Sequence, residues 1–232
     1  GVNEMEPEKR MTGLKRRGLL AGTAALGAGA GLGLAPGIAR AQDYPTKPVR
    51  VVVPYPAGGS TDMVARATAR ALGDGLGQTV VLDNRPGGGG VIAADLTAKA
   101  RPDGYTILMA NTAHTVQPSL HAKLPYDAIK DFAPIANLGL TPQTLVVSPA
   151  ESYKTVKEFV AAAKAKPNSI NFASLGSGST SHLTTEMFAS VAGIKLNHVP
   201  FKGSADAHTQ IIGGQVPMMF DAIPATLPHI KS

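Results

Sequence analysis

From Val49 onward the chain alternates at short intervals between apolar β-type runs and helix-periodic segments, and this alternation narrows the possible folds more than any other property. Val49 to Pro54 reads as a buried strand, Thr61 to Leu76 as a helix, Thr79 to Asp83 as a second strand, Val91 to Ala100 as a helix and Tyr105 to Ala110 as a third strand. The stretch from Asn111 to Leu140 is Pro-rich and reads as irregular. The alternation then resumes with a strand at Leu145 to Ser148. Thr155-Val-Lys-Glu158 forms a capping box that opens a helix to Lys166. Strands follow at Ile170 to Ser174, Asn197 to Val199 and Val216 to Phe220, with helices at His182 to Ala192 and Asp206 to Ile212. Strands joined through helices by short connections predict parallel βαβ units in open sheets covered on both faces. The break near residue 140 divides the chain into two α/β lobes, 42–140 and 141–232.

Residues 1–41 carry a different pattern. Lys15, Arg16 and Arg17 precede a Gly- and Ala-rich apolar stretch from Leu19 to Leu34, and Ala39-Arg40-Ala41 follows. This is the three-part layout of an export signal with cleavage near Ala41, and the paired arginines before Gly-Leu-Leu fit a twin-arginine leader. Sixteen Gly-rich residues fall short of the roughly twenty apolar ones that span a bilayer. The expectation is a mature protein delivered to the periplasm, with Met5 or Met11 as initiator.

Charge and composition exclude several classes. Of the 22 basic and 16 acidic residues, 6 and 3 lie in the first 41, which leaves a net of +3 with the signs interspersed. With no Trp and no basic run, a nucleic-acid surface is not predicted. With no Cys there is no thiolate nucleophile or cysteine metal site. The histidines show no close metal-ligand spacing, so neither a metal nor a cofactor is expected.

In doubly wound sheets the ligand lies where strands run into helices at their carboxyl ends. Two such loops stand out. Pro54-Tyr-Pro-Ala-Gly-Gly-Ser-Thr-Asp62 offers Gly58, Gly59 and Ser60 as donors, with Asp62 at the helix start as the natural cap. Ser174-Leu-Gly-Ser-Gly-Ser-Thr-Ser-His182 is its counterpart. Facing each other across a cleft, they would present backbone N–H groups of two helix N-termini to a carboxylate. Two rival readings exist. Gly88-x-Gly90-x-x-Ala93 formally meets a dinucleotide-binding pattern of a Rossmann oxidoreductase, but it does not stand at the first strand-to-helix turn. A serine hydrolase would need a G-x-S-x-G elbow, whose spacing the Ser177 loop lacks.

Beyond these loops, the Tyr44-Pro-x-Lys-Pro-Val-Arg50 opening, PYPAGGSTD, VVLDNRPGGGG, RPDGYTILMAN, LPYDAIKDFAPI, NFASLGSGSTSHL, HVPFKGSADAHTQIIGGQV and MFDAIPATLPHI occur in order across residues 44 to 230. In these pieces the chain resembles the extracytoplasmic solute receptors of tripartite tricarboxylate transporters, the Bug receptors. The resemblance implies a periplasmic binding protein of type II, two α/β lobes around a ligand cleft. Such a receptor captures a small carboxylate without chemistry and delivers it, as a monomer, to membrane permease subunits. It implies ligand contacts at Ala57, Gly58, Gly59 and Asp62 in one lobe, Ser177, Gly178, Ser179 and His182 in the other, and cleft-lining segments at Asn111 to Ala113 and Phe201 to Ser204, Gly203 among them. Tyr55 stands where Phe is common and adds a hydroxyl at the cleft edge. Relatives continue beyond the LPHIK segment, so lobe 2 is expected to be incomplete here and the fragment less stable than a full receptor.

Overall fold

The structure, a computed structural model, describes residues 43–231. The leader and its cleavage site lie outside the described residues.

Strands β1 (Val49–Val53), β2 (Val80–Asn84) and β3 (Thr106–Leu108) form a parallel sheet in the order β2-β1-β3. Val51 pairs with Leu82 on one side and Ile107 on the other. A strand flanked on both sides and covered on both faces has no use for alternation, which is why VRVVV is nearly continuous in β-branched residues. Val49, Val52 and Val53 are fully buried. Helix α1 (Ser60–Leu76) leaves β1 and packs Ala65 against Val51, Val53 and Met109. A turn of 3-10 helix at Gly88–Gly90 leads into α2 (Val91–Ala98).

The Pro-rich stretch is not wholly irregular. Helix α3 (Thr112–Leu120) opens it, with the Asn111 side chain accepting from the Ala113 N–H. Pro118 stands inside α3, which together with the flat hydrophobic pattern masks the helix in the sequence.

The second sheet comprises β4 (Gln143–Val147), β5 (Asn171–Ser174), β6 (Asn197–Pro200) and β7 (Met218–Ala222) in the order β4-β7-β5-β6. It departs from the all-parallel expectation, because β4 runs antiparallel to β7. Phe172 and Met218 point to one face, against Phe159 of α4 (Val156–Ala165) and Ala189 of α5 (Thr180–Ala192). Their sequence neighbours Ala173 and Met219 point to the other, against Ala207 and Ile211 of α6 (Ser204–Ile212). This period of two covers both faces of the sheet, as the alternation of elements requires. Truncating fully buried Phe172 to Ala costs about 3–5 kcal/mol on the scale of such cavities. The predicted capping box at Thr155 and Glu158 forms at both ends. A last helix, α7 (Ile223–Lys231), follows β7 directly. No helix among the described residues is long and apolar enough to cross a membrane.

Candidate functional site

The first Gly/hydroxyl loop is folded by its own acid. Asp62 is 1% exposed. Its Oδ2 accepts from the Gly58 N–H at 2.9 Å and from Arg66 Nε at 2.7 Å, and its Oδ1 accepts from Asn84 Nδ2 at 3.0 Å. Burial alone would raise its pKa, but the Gly58 N–H, Arg66 and Asn84 outweigh it and hold the carboxyl below the usual carboxylate range. Asp62 therefore does not cap α1, as its position in sequence suggested. It curls the loop back on itself, and Arg66 offsets its charge. Asn84 extends the brace by donating to the Tyr55 carbonyl at 2.9 Å. Tyr55 is buried and Ala57 and Gly58 are exposed, while Gly59 and Ser60 are buried at the seam with the second sheet.

That seam decides what the loop faces. The Ser60 Oγ accepts from the Ala225 N–H of α7 at 3.2 Å. A Cβ at Gly59 would stand 3.5 Å from Ser204 Oγ of α6, and one at Gly203 would stand 3.0 Å from Pro56 Cγ. The N-termini of α1, α6 and α7 thus converge on residues 56–60. The N-caps of α1 and α6 are Gly59 and Gly203, and neither helix has a side-chain cap hydrogen bond. The first turns of both helices keep backbone donors at a positive dipole end.

The second loop behaves differently. Ser179 is fully buried and caps α5 by accepting from the His182 N–H at 3.3 Å. His182 Nδ1 accepts from the Gly178 N–H at 3.1 Å, which places the ring proton on Nε2, 3.9 Å from Glu186 Oε1. The ring stacks on His198 at 4.1 Å, and His198 stacks in turn on Phe172 at 5.0 Å. Burial pushes the His198 imidazole down to about 4, with His182 contributing. Ser177 is exposed and Gly178 buried. The loop packs against the first lobe at another place. Gly89, at φ +61°, lies so close that a Cβ there would stand 2.5 Å from the Ser177 carbonyl oxygen. Gly178, at φ +76°, lies against Leu120 and Gln117, and the buried Gln117 donates to the Gly89 carbonyl at 3.0 Å. Gly89, which stands between the two glycines of the G-x-G-x-x-A pattern, thus admits the backbone of the second lobe.

Of the remaining expected residues, Ala113 is fully buried, and Asn111 sits half-buried with its side chain toward the Tyr55 hydroxyl. Phe201 packs on the cluster of Ala173, Ala207 and Ile211. The structure brings Tyr55, Gly59, Ser60, Asn111 and Gly203 to one seam, and Ser177, Gly178, Ser179 and His182 to another. Sequence reasoning missed Asn84, Gln117, His208, Asp221 and the start of α7. Pro224 in the first turn of α7 was a usable signal for that helix. A surface groove of about 450 Å³ lies apart from the seam, between α1 and β2, lined by Arg66, Ala69, Arg70, Val80, Leu82 and Asn84. Among the described residues no group of three His, Cys, Asp or Glu side chains gathers to hold a metal ion.

Two α/β sheets meeting through helix N-termini define the architecture of periplasmic binding proteins, and solved structures of that class superpose on the chain. The periplasmic binding protein BugD matches with a TM-score of 0.75 at 37% identity, over 81% of this chain and 63% of its own. MatC from Rhodopseudomonas palustris with bound malate matches with a TM-score of 0.75 at 32% identity, over 81% and 64%. An R. palustris protein with adipate matches with a TM-score of 0.77 at 34% identity, over 81% and 63%. The chain belongs to the tripartite tricarboxylate transporter receptor family, whose profile matches residues 64–232. BugT of Bordetella pertussis is 41% identical over 194 residues, 83% of this chain and 60% of BugT. The chain therefore spans about 60% of the length of that curated relative.

Proposed function

We propose that this protein is a periplasmic solute-binding receptor that captures a small carboxylate between its two lobes and presents it to the membrane permease of a tripartite tricarboxylate-type transporter. The observation that carries this reading is the meeting of two helices without side-chain caps, α1 and α6, at Gly59 and Ser204. Helix N-termini that leave their donors uncapped in this way favour a carboxylate. Asp62 does not oppose the anion strongly, because Arg66, the Gly58 N–H and the Asn84 side-chain amide already engage it. Related structures that hold adipate and malate support the same ligand class.

Capture is by closure. The lobes, divided near residue 140, hinge shut on the acid, and the closed form docks on the permease as a monomer. The function is binding without turnover, and no residue is assigned to catalysis. The leader around Arg16 and Arg17, cleaved near Ala41, supplies export. The ligand contacts assigned are Gly59, Ser60 and the backbone at Gly203 and Ser204, with Tyr55 and Asn111 beside them. Ser177, Gly178, Ser179 and His182 shape the other seam, and Ala57 and Gly58 form the exposed lip of the first loop.

A thermal-shift panel of mono-, di- and tricarboxylates against neutral sugars tests this. At a ligand concentration about a hundredfold above Kd, stabilisation is about 2.7 kcal/mol, a rise in Tm of roughly 5–10 °C for a domain of this size. Stabilisation by sugars and by none of the acids would overturn the reading.

A further inference from the structure

Four polar side-chain atoms at the first seam are buried without an aligned hydrogen-bond partner among the described residues: Tyr55 Oη, Ser204 Oγ, His208 Nε2 and Asp221 Oδ2. Their residues are 5%, 3%, 5% and 2% exposed. They come from three places in the chain and meet. Ser204 and His208 lie one turn apart on the same face of α6. His208 Nε2 approaches Asp221 Oδ2 at 3.1 Å, though not in hydrogen-bond alignment. The charge of Asp221, near the end of β7, acts on the Tyr55 hydroxyl, and Ser204 Oγ adjoins Gly59.

The chemistry of the four groups specifies what satisfies them. Burial raises the pKa of Tyr55 against the opposing pull of the Asn111 side chain, which approaches the hydroxyl as a donor, so the Tyr55 proton stays on and must find an acceptor. Asp221 Oδ1 already accepts from the Ala222 N–H at 2.8 Å, and His208 Nε2 stands 3.1 Å from Oδ2 without hydrogen-bond alignment, so Oδ2 can still take a well-placed donor. Ser204 can give or take. A methylene from a guest would leave all four unmet, and each would keep its full desolvation cost. A second carboxylate would accept from Tyr55 and Ser204 but would bring a like charge against Asp221. An ammonium group would donate to Asp221 and accept nothing. An alcohol does both with one oxygen, accepting from Tyr55 or Ser204 and donating to Asp221.

We propose that Tyr55, Ser204, His208 and Asp221 form a subsite that reads a hydroxyl group on the bound acid, so that the ligand is a hydroxy-substituted carboxylate. The proposal rests on the carboxylate reading above and assigns the part of the ligand which the helix N-termini leave unread.

Isothermal titration of the full chain with malate and with succinate, which differ by one hydroxyl, tests it, with aspartate as the ammonium counterpart. Malate is expected to bind at least about tenfold more tightly than either. Tyr55→Phe keeps the ring and removes the donor; it should lower malate affinity about tenfold more than it lowers succinate affinity. Asp221→Asn should reduce the malate preference in the same direction, with succinate binding as the check that the variant folds. Equal affinity for malate and succinate overturns the subsite while sparing the carboxylate reading, and so does a Tyr55→Phe loss of equal size for both acids. Tighter aspartate than malate assigns the cluster to an ammonium group instead. Binding of no acid at all overturns both.

Discussion

The two strand-to-helix loops built from glycine and small hydroxyls look alike in sequence and do opposite things with their helices. After β1, the helix begins at Gly59 with no side-chain cap, and the nearby acid is turned back on the loop to bond Gly58, Arg66 and Asn84. After β5, Ser179 caps its own helix, and His182 closes the turn by accepting from Gly178. One helix leaves its dipole end without a side-chain cap and the other caps its own. A loop of Gly, Ser and His is therefore an anion cradle only where its own side chains leave the amides alone.

The largest expected effect separates the loops by their braces. Asp62→Ala removes the acceptor for Gly58, Asn84 and Arg66 from a buried position, and should cost about 3 kcal/mol in urea unfolding together with carboxylate binding. An unchanged midpoint would show that the loop holds its form without Asp62.

A smaller pair of changes sets the caps against each other. Ser179→Ala should cost about 1 kcal/mol of stability and leave acid affinity within twofold, since that cap serves only α5. Gly59→Ser installs a cap where none exists, at a φ of −82° that any residue adopts. It should stabilise by a few tenths of a kcal/mol yet weaken acid binding by about tenfold, because the new side chain competes for the same amides. Calorimetry on both variants reads the difference, and parallel losses of affinity would erase the contrast.

The last contrast is in pH. The His198 imidazole takes its proton near 4 in the folded state, against about 6.5 when unfolded. Between those values the unfolded chain binds the extra proton, so stability falls as pH drops from about 6.5 to 4 and this contribution then levels off. His198→Gln should flatten the decline between pH 7 and pH 5 in urea midpoints. Asp62, with its lowered pKa, keeps its contribution above the ordinary carboxylate range and loses it only at lower pH. The two loops should therefore respond to acid in separate windows.

Much of the fold was legible because periodicity and punctuation agreed. The strands at 49–53, 80–84 and 171–174 and the capping box at Thr155 fall within a residue or two of expectation. Helix α3 was hidden by Pro118, and the antiparallel β4 by the absence of any local mark of strand direction. Of the proposed site, the loop at 54–62 stands out in the sequence by its own composition, whereas the Phe201 to Ser204 segment came only with the family resemblance. The similarity of SLGSGSTSH to PYPAGGSTD pointed to α5, whereas the meeting of Gly59 with Ser204 depends on how two sheets pack. Asp221 and His208 come together only through β7 and α6.

The most direct test of the central claim, that the ends of α1 and α6 hold the acid, is to follow backbone amide resonances during a carboxylate titration. Ser60 and Thr61 of α1 and Ser204 and Ala205 of α6 are expected to shift together with one saturation curve, while Thr180 and Ser181 of α5 stay still. Shifts confined to Arg66, Arg70 and Leu82 would place the acid in the arginine-lined groove between α1 and β2 and contradict it.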